Sequence, residues 1–288
     1  MPDFVRTTTL DSIAVLEVDN PPVNALSPGV PEAIVRGLDA AERDPAIDAV
    51  IIRGAGRTFI VGADLAMLQR AAHGELDAAC DMHDFLARIE DCSKPVVMAL
   101  HGNALGGGLE VAMAGHYRVA TPDAKLGQPQ VNLGIVPGAE GTQRLPRLVG
   151  VEKALEMCVT GTPIIAMEAL GAGLIDAVVE GDLTTGAARF AATTGRHVSP
   201  RKTRERIDRL NSSPAVFDAA RERAVASRPG EIAPLKVIDA IEAAATLSFD
   251  AGRRRERALF FETVQTAQAR TLIDAFFAAR AAAKRSSQ

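Results

Sequence analysis

The chain has 288 residues, 47% of them hydrophobic, enough for one large domain or a domain with an appendage. A net charge of −4 and a pI near 5.8 give no global attraction to nucleic acid or to an anionic membrane. Cys80, Cys92 and Cys158 are scattered without metal or redox spacing and suit free thiols in a reducing compartment.

The opening "MPDFVRTTTL" lacks a charged-then-apolar signal pattern, and no apolar run approaches the roughly 18–20 residues that span a bilayer. A cytoplasmic protein with no membrane partner is expected. "SIAVLEVDN" (12–20) is a β-rich run closed by a turn cluster. Residues 28–43 have the spacing of an amphipathic helix with Pro28 or Pro31 near its start. "DAVIIRGAG" (48–56) is nearly all apolar, as in a strand covered on both faces. Residues 64–72 and 76–92 read as helices, 94–102 as a second buried strand and 104–115 as a helix. "YRVATPDAKLG" (117–127) gives another short strand and a turn. Helices are expected near 140–148, 151–160 and 165–171, then a last strand, "LIDAVV" (174–179). The strand–strand–helix order to about 180 predicts an α/β domain. Beyond about 182 the pattern is helical, so the expected division is a core over 1–198 and a helical region over 199–288.

Three clusters carry candidate chemistry. In "GRTFIVGADL" (56–65), Gly62 lets the chain turn sharply into an Asp-led helix. That turn either frees the N–H of Ala63 at a helix N-terminus, where negative charge is favoured, or is an ordinary Asp64 cap. In "HGNALGGGLE" (101–110), Gly106, Gly107 and Gly108 open a helix, a costly choice relative to Ala. They fit either a ligand oxygen on the backbone or close helix packing. Their spacing matches neither a phosphate loop nor a dinucleotide fingerprint. Glu110 follows on an apolar helix, where desolvation raises its pKa toward neutral and suits it to proton transfer. The competing reading pairs it with Arg144 or Arg147. In "LGQPQVNLGIVPGAEGTQRLPRLVG" (126–150), Gln128, Gln130 and Asn132 offer hydrogen bonds without a titratable proton.

Together these stretches resemble the enoyl-CoA hydratase/isomerase (crotonase) family. "NPPVNALS" (20–27), "FIVGADL" (59–65), "HGNALGGGLEVAMAGHYRVA" (101–120) and "ALGAGLIDAVV" (169–179) also carry the likeness. "RPGEIAPLKVIDAIEAA" (228–244) and the stretch 256–284 resemble the hydratase/isomerase half of type-1 multifunctional β-oxidation enzymes. The resemblance implies a crotonase-like spiral of ββα units followed by a helical C-terminal region. It implies an acyl-CoA thioester as partner and an oxyanion hole from the N–H groups of Ala63 and Gly107. Val23, Ala25, Leu26, Gly62, Leu65 and Gly106 then line the CoA site, with Phe277 and Lys284 as looser candidates. Hydratases of the family use two glutamates; Glu110 matches one, and Gln130 stands where the other is expected. Glu140 is expected to face solvent.

The implied activity is addition or removal of water at an α,β-unsaturated acyl-CoA, with one catalytic Glu replaced by Gln. The alternatives are a crotonase-fold isomerase, thioester hydrolase or C–C cleaving enzyme, or a non-catalytic or engineered-inactive acyl-CoA binder. No dinucleotide-binding pattern follows, so no cofactor is expected beyond coenzyme A carried by the substrate. A trimeric or hexameric homo-oligomer is implied by the resemblance alone. His73, His83, His101, His116 and His197 show no metal-binding spacing. The basic runs 201–209 and 253–257 ("RRRER") are expected to be solvated helix faces, not nucleic-acid patches.

Overall fold

A computed structural model describes residues 4–62, 65–75, 82–194 and 200–286. It opens with the antiparallel pair β1 (Val5–Leu10) and β2 (Ile13–Val18), followed by helix α1 (Val30–Arg43) and strand β3 (Ala49–Gly54). Helices α2 (Leu65–Ala72) and α3 (His83–Glu90) lead to strands β4 (Val96–Leu100) and β5 (Asn103–Leu105) and helix α4 (Gly107–Ala114). Strands β6 (Tyr117–Ala120) and β7 (Lys125–Gly127) precede a 3-10 turn over Pro129–Leu133. Then come α5 (Gly141–Val149), α6 (Val151–Thr160), β8 (Ile164–Ile165), α7 (Ala166–Ala172), β9 (Ala177–Val178) and α8 (Leu183–Thr194). Helices α9 (Pro214–Ser227), α10 (Ala233–Thr246), α11 (Phe249–Val264) and α12 (Ala267–Ser286) complete the chain.

The units wind by sending successive strands to two sheets. A six-stranded sheet runs β1-β2-β3-β4-β6-β9, and a three-stranded sheet runs β5-β7-β8. Strands β3, β4 and β6 lie in the large sheet; after each, a short extended piece joins the small one. Those pieces are β5, β7 and the parallel bridge from Val61 to Leu105. From β2 to β9 the large sheet is parallel. Strands β2, β3, β4 and β6 are buried along almost their whole length, as their nearly unbroken apolar sequence predicts. In β4, Val96, Met98 and Leu100 enter the main core, while Val97 and Ala99 face a second cluster capped by Leu183, Ala187 and Ala191 of α8.

Three expectations need correction. The segment 104–115 is not one helix: Asn103–Leu105 is a strand, and the helix begins at Gly107. Pairing with β7 satisfies this backbone better than an extra helical turn headed by three glycines. Strand β1, on which the sequence reading carries no expectation, is present as well, and its Thr-rich sequence shows no alternation. Residues 200–213 are not helical apart from a single turn at Thr203–Glu205. Nor is the basic run here a solvated helix face. Arg201 pairs with Asp176, Lys202 with Asp91, and Arg204 with Asp91 and Glu90, so cations fasten an extended strap to the core.

The C-terminal helices are part of the same body. Phe217, Ala220 and Ala224 of α9 and Val237, Ile238, Ala240 and Ile241 of α10 belong to the main cluster with the sheet residues. Helix α12 instead meets α2, where Ala269 and Ile273 pack with Ala71, Ala72 and Ile135.

Candidate active site

Strands β5 and β7 pair in parallel with Leu105 opposite Gly127. Whatever follows each strand therefore emerges at the same edge. After β5 comes the glycine-opened helix α4; after β7 comes the 3-10 turn that carries Gln130.

The three glycines have separate duties. Gly106 has φ 55 and ψ −124, a conformation open in practice to glycine alone, and its N–H donates to Gly127 O at 2.9 Å. Gly107 is the first helical residue, and its N–H has no partner among the described residues. Gly108 packs: a Cβ there would lie 1.9 Å from the carbonyl oxygen of Ile60. Both readings of the triplet are thus realised, at different glycines. Gly108→Ala is expected to force α4 off the Ile60 backbone and to cost at least about 1–3 kcal/mol. Urea denaturation measures the loss.

Glu110 lies in the first turn of α4 among buried Leu109, Val111, Ala112 and Met113. Burial pushes its pKa up to about 7; N–H groups of Ala139 and Gly141 oppose the rise, and the charge of Glu140 adds to it. Ala139 N lies 3.3 Å from Glu110 Oε1. Gln130 Nε2 donates to the same oxygen at 3.4 Å, while Gln130 Oε1 is buried with no donor among the described residues. Glu110 does not pair with Arg144 or Arg147. Arg144 binds Glu90 and Glu140, and Arg147 donates to Gln143 O.

The Glu110 and Gln130 side chains face a cavity of about 780 Å³. Leu26, Gly62, Gly106 and Gly107 line it. Gly62 has φ 73 with open space where a Cβ would point, and its carbonyl accepts from Leu26 N at 3.1 Å. Val23, Ala25 and Phe277 lie outside the lining. Val23 O instead accepts from Val61 N, and Ala25 O from Asn20 Nδ2. Phe277 turns toward the α2–α12 cluster, and its neighbour Phe276 lines the cavity. Ala63 and the side chains of Leu65 and Lys284 are outside the described residues.

Several residues escaped the sequence reading. Asn24 in "NPPVNALS" is buried and donates through Nδ2 to Thr58 O and Phe59 O, each at 3.0 Å, tying that loop to the segment before Gly62. Phe260, Phe261, Leu272 and Phe276 of α11 and α12 form an apolar wall of the cavity. Glu140 does not face solvent; it is 1% exposed and has φ 65. Arg144 holds Glu90 by two bonds of 2.8 and 2.9 Å and Glu140 by a bond of 2.7 Å. The i, i+4 spacing of Glu140 and Arg144 was a legible signal of that contact. In "RRRER", Glu256 is fully buried and Arg257 lines the cavity, so this run is not merely a solvated face. Among the described residues no group of three His, Cys, Asp or Glu could hold a metal ion. No helix there is long and apolar enough to cross a membrane.

Comparison with known proteins agrees with this arrangement. Residues 8–226 match the enoyl-CoA hydratase/isomerase family. The chain is 39% identical to a peroxisomal bifunctional enzyme of Cavia porcellus over 276 residues, which is 95% of this chain and 38% of that protein. It therefore spans about two-fifths of that relative's length. A probable enoyl-CoA hydratase of Bacillus subtilis is 48% identical over 165 residues, 57% of this chain and 64% of that one. The crystal structure of carnitinyl-CoA hydratase from Mycobacterium avium superposes with a TM-score of 0.67 at 28% identity, covering 96% of each chain. Glycine-opened helix, buried glutamate, ββα spiral and family match coincide: this chain belongs to the enoyl-CoA hydratase/isomerase family.

Proposed function

We propose that the protein processes acyl-CoA thioesters by adding water to, or removing it from, an α,β-unsaturated acyl-CoA. One observation carries this reading. Glu110 is a dry carboxyl poised to titrate at about 7, in the first turn of the helix whose leading N–H, at Gly107, has no partner among the described residues. In the hydration direction Glu110 takes a proton from water as the water oxygen bonds to Cβ. The Cα=Cβ electron pair moves toward Cα and the thioester oxygen, which takes hydrogen bonds from Gly107 N–H and, by resemblance, from Ala63 N–H. Protonated Glu110 then returns the proton to Cα, giving the 3-hydroxyacyl thioester. One carboxylate can close this cycle, and coenzyme A enters only as part of the substrate. Gln130 takes the place the resemblance gives to a second glutamate; its buried Oε1 suits it to hold the water but not to exchange a proton.

Hydration of crotonyl-CoA, followed by loss of enoyl absorbance, tests this directly. Gln130→Glu is expected to raise the rate about 10²-fold, the gain typical of a second general acid–base group. Two carboxylates at the observed 3.4 Å would not both ionise, so one of them would keep the proton an acid needs. An unchanged rate in that variant would sink the account of Gln130.

The Glu110 carboxylate near Gly107 also favours a second reading, double-bond isomerisation, in which one base carries a proton between Cα and Cγ. Conversion of a 3-enoyl-CoA to the 2-enoyl isomer without hydration would select it. Assembly into trimers or hexamers belongs to the proposal and is read by sedimentation. The cytoplasmic expectation gains no support from relatives named as peroxisomal or glyoxysomal enzymes.

A further inference from the structure

The turn Ala139–Thr142 distributes four consecutive N–H groups between two buried carboxylates. Ala139 N donates to Glu110 Oε1 at 3.3 Å, and the N–H of Gly141 acts on the same carboxyl, holding its pKa down. Glu140 N donates to Glu256 Oε1 at 2.6 Å, and Thr142 N and Oγ1 donate to Glu256 Oε2 at 2.8 and 2.5 Å. The turn passes through Glu140 in the left-handed conformation, φ 65 and ψ 14. Glu256 arrives on α11, far along the chain. Gly252, one helical turn earlier, lets that helix approach: a Cβ there would lie 2.1 Å from Gln143 Oε1 of α5. Both carboxylates thus sit against the N-terminus of α5.

We propose that Glu256 is a positioning residue: by holding the N–H groups of Glu140 and Thr142, it keeps the N–H groups of Ala139 and Gly141 on Glu110. The inference rests on the reading of Glu110 as the proton carrier. The surroundings of Glu256 agree with it. Burial and then the charge of Glu110 push its pKa up, bonds from Thr142 pull it down, and Glu140 adds to the rise. Cys158 on α6 faces the same pair, and Arg253 on α11 reaches Glu140 at 3.7 Å. Glu140 is itself anchored by Arg144, so the turn is pinned from both flanks.

The experiment reads Glu110 directly by carbon-13 NMR titration of glutamate-labelled protein, with Glu110→Gln as the assignment control. Glu256→Leu keeps the volume and removes the acceptors. Without them the turn relaxes, Glu110 loses its donors, and its midpoint rises by on the order of one pH unit. Glu256→Gln, which keeps one accepting oxygen, restores part of that shift. If Glu256→Leu does not fold, Glu256→Gln and Thr142→Val carry the test, each with a smaller rise. Turnover in the same variants falls about tenfold in kcat with KM changed less than about twofold. A Glu110 midpoint unmoved in every folded variant overturns the proposal. The titration needs no turnover, so an inactive wild-type protein would sink the hydratase reading while the positioning role is still judged by the midpoint.

Discussion

Glu110→Gln is expected to lower acyl-CoA turnover by at least about 10²–10⁴-fold and, at the same time, to stabilise the protein at alkaline pH. The loss follows from removing the proton carrier. The gain follows from linkage. The Glu110 pKa is raised from 4.5 to about 7, so the folded protein holds this proton more tightly than the unfolded chain does. That contribution to stability is complete below about pH 4.5 and is lost as pH rises through about 7. Above that, the native state carries a buried carboxylate at a cost of about 3 kcal/mol, since each tenfold change in proton affinity is worth about 1.4 kcal/mol. The amide stays neutral at every pH. Urea denaturation should therefore find Glu110→Gln more stable than wild type at pH 8 and equal to it near pH 4. Wild-type kcat/KM should also rise about tenfold between pH 6 and 8 as the base ionises. A flat profile together with equal stabilities at pH 8 would mean that Glu110 is an ordinary solvated carboxylate.

Arg144→Leu is expected to destabilise the fold by about 3–5 kcal/mol, the cost of breaking a buried ion pair from one side. Arg144, Glu90 and Glu140 are each no more than 1% exposed. Without the guanidinium, Glu90 keeps only the N–H of Arg204 at 2.9 Å and its side chain at 3.5 Å, and Glu140 keeps Arg253 at 3.7 Å. Neither remaining cation is close enough to offset two desolvated carboxylates. The triple change Arg144→Leu, Glu90→Leu, Glu140→Gly should recover most of the loss. It removes all three charges of this cluster at once, and glycine relieves the positive φ of residue 140. Thermal unfolding of both variants measures the difference. Equal melting of the single variant and wild type would show that the cluster is hydrated.

The two expected results differ in how far the sequence anticipates them. Glu110 stands in a run of Leu, Val, Ala and Met, so its desolvation is already implied by its own helix. Glu140 stands among Gly, Ala and Thr in a loop, a local setting that matches a surface turn, and its burial comes from elsewhere. Glu256 sits between arginines at 253–255 and 257, where every neighbour suggests solvent. It is buried because Gly252 lets α11 dock on α5, bringing residues 116 apart in sequence within a hydrogen bond.

The features legible in the chain alone are local in origin. Apolar runs mark the buried strands, glycines mark the sharp entries to helices, and the order of units marks the spiral. Short excursions after the paired strands β5 and β7 are enough to bring Glu110 and Gln130 to one cavity. Which of the remaining charges lie in water is settled only by long-range packing. Packing buries Glu140 and Glu256, turns Arg257 to the cavity and closes that cavity with Phe260, Phe261 and Phe276. The cause is that a charged side chain has no intrinsic burial. Its solvation is fixed by which distant helix packs over it, and no pattern within its own turn encodes that contact.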